Sequence, residues 1–144
     1  MRLVPAALAL ALALATDAPA ADYASGVKSK VVVKTTVTAS GEQIRYPATG
    51  RPEVTAADVE IAPGAETGFH LHPGPVYAWV TSGSMTVDVA GGASRTYGPG
   101  DAIVEMTGVP HNGRNTGTVP ARLLVFYLGV EGSPVTVPVK LPDR

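Results

Sequence analysis

The chain has no cysteine, which excludes disulfides, thiolate metal sites and a cysteine nucleophile together. It has no excess of charge of either sign: 11 Lys+Arg stand against 12 Asp+Glu, for a net charge of −1. Without a basic stripe to neutralise phosphates, a nucleic-acid partner is disfavoured. Charged residues are only 16 % of the 144 and hydrophobic ones 45 %, so there is apolar material for a core and no signature of disorder. Helical periodicity is missing from every window after residue 20. What is abundant is glycine, 16 residues, and proline, 13, scattered without a repeat. That distribution marks many tight turns between short strands.

Residues 1–20 read as a signal peptide. Arg2 supplies a positive start, Leu3 to Ala15 is an apolar run, and Ala18-Pro19-Ala20 has the small-x-small form of a cleavage site. The run is too short for an anchored membrane span. The expectation is an exported protein, periplasmic or secreted, with no membrane attachment after cleavage. Residues 21–53 are expected to form a lead-in and first strands, and residues 54–144 the main barrel with its C-terminal strands.

The lead-in contains a period-2 pattern in which Val31, Val33, Thr35 and Val37 alternate with Val32, Lys34, Thr36 and Thr38, so a strand is predicted there. Further strands are predicted over Val54 to Ile61, Thr67 to His72, Val76 to Thr81, Ser84 to Ala90, Asp101 to Glu105, Ala121 to Leu128 and Val135 to Val139. Pro63-Gly64, Pro73-Gly74-Pro75, Ser82-Gly83-Ser84, Gly91-Gly92, Gly98-Pro99-Gly100 and Asn115-Thr116-Gly117 punctuate them as turns. The pattern is all-β, one domain, a sandwich or small barrel.

The chemistry lies in the three histidines, His70, His72 and His111. His70 and His72 are two apart on a predicted strand, so both imidazoles leave the same face. With a third imidazole from elsewhere they form a three-protein-ligand set of the catalytic metal type. The alternative is two ordinary polar residues beside the Pro73-Gly74-Pro75 turn.

The surroundings carry a family resemblance. Gly64, five residues, His70-Leu71-His72 and then Gly83 resemble the first motif of the cupin superfamily. Gly100, seven residues, Gly108, two residues, His111, three residues, Asn115 resemble the second. The resemblance covers about Val54 to Leu128 and implies a double-stranded β-helix, or jelly-roll barrel. It further implies that His70, His72 and His111 converge on one metal.

The chain departs from the pattern at two places. The position of the family's glutamate ligand is Val76, and that of a proline two before the second-motif glycine is Met106. Met106 reads as a packing change, because a thioether fills irregular space. Val76 removes the anionic ligand, leaving three neutral imidazoles and a site charge of about +2, which suits Zn, Cu, Ni or Fe better than Mn or Mg. A barrel that has lost its metal and keeps the histidines for hydrogen bonding is the other outcome.

If position 76 faces the metal, parity puts Val76, Ala78 and Val80 inside as pocket-lining residues and Tyr77 and Trp79 outside. The aromatics then cover a second layer, pack in the core or meet a partner; a homodimer is compatible with the sequence. Glu105 interrupts the apolar Ala102-Ile103-Val104. It is a weak candidate for a catalytic proton acceptor or for a partner of a histidine N–H, the alternative being a solvent-facing residue. Tyr127 and Arg114 are weaker candidates, and Asn115 reads as a brace for the second-motif turn. The expected function is metal-dependent chemistry, of dioxygenase or isomerase type, on a small organic molecule. The alternatives are a non-catalytic barrel that captures a small ligand or metal, and a structural barrel.

Overall fold

The structure is a computed structural model that describes residues 25–141; the leader expected over residues 1–20 lies outside the described residues. The chain divides into a unit that ends at Val31 and a unit that begins at Val32. In the first, residues 27–31 are exposed and form no strand. The second is all-β. Its strands are β1 (Pro52–Ile61), β2 (His70–Leu71), β3 (Val76–Ser82), β4 (Met85–Val89), β5 (Ser94–Tyr97), β6 (Ala102–Val104), β7 (His111–Arg114), β8 (Ala121–Val130) and β9 (Val137–Pro138). No helix among the described residues is long and apolar enough to cross a membrane.

The strands form two antiparallel sheets, ordered β1-β8-β3-β6 and β5-β4-β7-β2-β9. Chain neighbours are rarely sheet neighbours, and the chain passes repeatedly from one sheet to the other. This is a jelly-roll barrel. Its core is aliphatic, with Val80, Ile103, Leu123 and Ala121 each at 2 % exposure or less. Complete burial of a Val, Leu or Ile side chain contributes about 1.5–3 kcal/mol, so these inward rows hold the two sheets together. Along β3 the burial alternates, with Val76, Ala78 and Val80 buried and Tyr77 and Trp79 half-buried on the opposite face.

The strand expected over Val31 to Thr38 does not form. Only Val37 makes a bridge, to Gln43, and Val31, Val32 and Val33 are all more than two-fifths exposed. β-Branched alternation favours a pleated surface only where a neighbouring strand and a core face receive it. Residues 32–53 nonetheless belong to the second unit, and the Ala39 N–H donates to the Val104 carbonyl at 2.8 Å. β5 and β7 were not expected as strands. Both are recruited by β4, which pairs with β5 from Met85↔Tyr97 to Asp88↔Ser94 and with β7 from Thr86↔Arg114 to Val89↔His111.

Two glycines serve the fold directly. Gly83 has φ +67° and a Cβ there would lie 2.4 Å from the Pro120 carbonyl oxygen, so no larger residue fits the turn from β3 to β4. Gly108 has φ +72°, and its N–H donates to the His72 carbonyl at 2.9 Å. That turn ties the end of the first histidine segment to the start of the second.

Candidate metal centre

The site is built from the register of β2 and β7. His70 pairs directly with His111 across this ladder, so both side chains stand on one face. His72 follows two residues later and is held by its bridge to Thr107. The ring centroids of the three imidazoles lie 4.6 to 5.1 Å apart, and one ligand atom from each lies within 4.8 Å of the others. The structure therefore brings together all three histidines singled out by spacing, close enough to hold a metal. His72 and His111 are buried, and His70 is half-buried.

Each ring is oriented through its Nδ1. His70 Nδ1 donates to the Gly68 carbonyl at 2.9 Å, His72 Nδ1 to Val135 at 2.7 Å and His111 Nδ1 to Val109 at 2.8 Å. A carbonyl only accepts, so each Nδ1 carries the hydrogen, and each neutral ring presents its Nε2 lone pair. Backbone anchoring of this kind is what metal-ligating imidazoles require. The donor set and its orientation fit a divalent transition ion.

Glu105 is the residue that the sequence pattern undervalued. It is 8 % exposed, and its Oε2 lies 3.0 Å from His72 Nε2 and 3.2 Å from His111 Nε2. The solvent-facing alternative is excluded. Strand parity held the signal: Ile103 faces the core, so position 105 faces it too. Burial pushes the Glu105 carboxyl up, but hydrogen bonds and charge from His111 and His72 outweigh it, and the pKa falls from 4.5 to about 2. His111 moves the other way. Burial lowers its pKa, yet the contact with Glu105 and the Val109 carbonyl raise it above 6.5. His70 stays below its ordinary value, through burial first and its two imidazole neighbours after that.

The imidazoles and Glu105 open on a cavity of about 60 Å³ walled by Val59, Met85, Val87, Leu123, Val125 and Tyr127. The Tyr127 ring stacks obliquely on His72, 5.5 Å between centroids. Val76, Ala78 and Val80, expected to line this pocket, are instead buried in the core, and none of them is among its walls. Val76 borders a neighbouring groove of about 320 Å³, which also contacts Tyr127. Glu105, whose N–H donates to the Val76 carbonyl, supplies the side chain that meets the imidazoles instead. Arg114 stands apart from the cavity, paired with Asp88 on β4. Asn115 is the brace its position suggested, donating to the Ile61 and Val119 carbonyls at 2.8 Å and accepting from the Gly117 N–H at 2.9 Å.

The family profile described as the cupin domain matches residues 57–127, which span both histidine segments. The chain carries a cupin domain. This cupin resembles solved structures of an oxalate oxidase, at 28 % identity and TM-score 0.52 over 60 % of this chain and 46 % of that one. It also resembles a DMSP lyase from Ruegeria pomeroyi, at 28 % identity and TM-score 0.53 over 59 % of this chain and 42 % of that one. A Bacillus halodurans protein at 24 % identity and TM-score 0.50 shares the fold. The chain spans less than half the length of the first two. No curated protein matches it in sequence.

Proposed function

We propose that this cupin is an exported protein that holds one divalent transition ion, Zn, Cu, Ni or Fe, on His70, His72 and His111 and transforms a small organic anion there. The single observation that carries the reading is the convergence of three imidazoles whose Nδ1 atoms are all committed to backbone carbonyls. Such an ion supplies Lewis acidity, or redox chemistry if it is iron or copper. Export rests on residues 1–20 of the sequence alone.

The substrate class follows from size and charge. The cavity, about 60 Å³, is far below the roughly 300–1,000 Å³ of drug-sized pockets, so it suits a molecule of a few heavy atoms. No Lys or Arg lines it, and its aliphatic walls hold water back. An anion is then attracted by the cationic centre itself rather than by a side-chain clamp, and the walls strengthen that attraction by lowering the local dielectric. A small carboxylate meets both demands. The relatives named for oxalate and DMSP support a small-molecule substrate.

The test is to load the untagged protein with each metal and present small carboxylates beside their neutral amides, following turnover, oxygen uptake and binding by NMR. Turnover of a carboxylate and indifference to the amide are expected. Binding without turnover under any metal would instead identify a capture module, and equal treatment of amide and acid would remove the charge argument.

A further inference from the structure

We infer that Glu105 is itself a ligand of the metal centre, supplying a carboxylate from the residue that follows β6. The inference rests on the three-histidine reading proposed above and adds a fourth donor to it. Its first support is register. β3 and β6 pair as Tyr77↔Val104, Ala78↔Ile103 and Trp79↔Ala102. The next step of that ladder is Val76 opposite Glu105, and the Glu105 N–H does donate to the Val76 carbonyl at 2.9 Å. Directly opposed residues of an antiparallel pair share a face, with Cβ atoms about 4.5–5.5 Å apart. A carboxylate at 105 therefore enters the site from the face that position 76 also presents.

The second support is a surplus of lone pairs. With every Nδ1 hydrogen spent on a carbonyl, His72 Nε2 and His111 Nε2 are acceptors in the neutral rings. Glu105 Oε2 is also an acceptor, and it sits 3.0 and 3.2 Å from them. Three buried acceptors this close need positive charge among them, which a proton supplies in the metal-free protein and a bound cation can supply in its place. A cation bound to all of them satisfies every lone pair at once.

The third support is metric. Two donors each about 2.1 Å from one ion, at angles between octahedral and tetrahedral, stand roughly 3.0–3.4 Å apart. The two Glu105 contacts, 3.0 and 3.2 Å, fall in that interval. A carboxylate acting through the far side of an imidazole would face Nδ1 instead, and those atoms are already occupied.

The experiment titrates the metal-free full chain with Mn(II), Zn(II) and Co(II) in three forms: wild type, Glu105→Gln and the exchange variant Val76→Glu/Glu105→Val. Loss of an outer partner typically costs 10–100-fold in metal affinity. Loss of a direct anionic ligand should weaken Mn(II), the hardest of the three ions, by more than about 100-fold and Zn(II) by less. The Co(II) absorption bands should shift in Glu105→Gln, and the exchange variant should recover Mn(II) binding to within about tenfold of wild type. Glu105→Gln is nearly isosteric, so its result stands even if the exchange variant does not fold. An unchanged Co(II) spectrum with an unchanged Mn/Zn ratio in Glu105→Gln would overturn the inference and leave the three-histidine centre standing. Absence of metal binding by wild type would overturn both.

Discussion

Two ends of the same β3–β6 ladder show how the interior is divided. At one step Ala78 faces Ile103, both buried and both aliphatic. One period further on, Val76 lies opposite Glu105, whose carboxylate meets two imidazoles. The backbone is the same; the chemistry changes completely within two residues. The aliphatic end holds the sheets together, while the polar end is anchored by backbone carbonyls and carries the site. Stability and metal affinity should therefore be separable by mutation.

The largest stability effect is expected at the aliphatic end. Ile103→Ala should cost about 2–5 kcal/mol in urea unfolding, through lost burial and the cavity left behind. Ile103 does not wall the histidine cavity, so the folded fraction should keep its full metal stoichiometry. Loss of metal from the folded Ile103→Ala protein would break the separation.

An intermediate effect is expected at the polar end of the metal-free protein, and its sign follows from Glu105. Its folded pKa of about 2 lies below the ordinary 4.5. The stabilisation is therefore present above pH 4.5 and lost as pH falls toward 2, an amount on the order of 3 kcal/mol. His111, raised above 6.5, contributes below pH 6.5 and loses its contribution as pH rises through its folded value. Glu105→Gln should flatten the acid limb between pH 4.5 and 2. An acid limb of full slope in that variant would place the titration elsewhere. With metal bound the trend near neutrality reverses, because each ligand must be a neutral imidazole, and affinity should fall below about pH 6.

The smallest effect is expected in residues 31–38. Val32 is 44 % exposed and pairs with no strand, so Val32→Ser should change stability by less than about 0.5 kcal/mol. A cost of 2 kcal/mol would mean that this segment is buried against something in solution.

These contrasts also explain what could be read from the chain alone. His70, His72 and His111 were legible because three scarce residues sit at spacings fixed by turns such as the one at Gly108. The long strands β1, β3 and β8 announced themselves by alternation. β5, Ser-Arg-Thr-Tyr, and β7, His-Asn-Gly-Arg, have little apolar alternation and exist because β4 pairs with both. The valine-rich segment failed for the opposite reason, since it has the pattern and lacks the partner. Glu105 was hidden because its importance depends on which residue lies across the ladder, and that is a property of tertiary register. The pocket walls came from strands far apart in sequence, among them Val59, Met85 and Val125.

The central claim is that the three imidazoles hold a metal, and the most direct measurement is elemental analysis of the untagged protein beside its His72→Ala variant. About one transition-metal ion per chain is expected in the wild type. Less than about a tenth of that is expected in His72→Ala, with the β-sheet circular dichroism retained because the aliphatic end is untouched. A wild type without metal, or a His72→Ala protein that keeps its full complement, would contradict it.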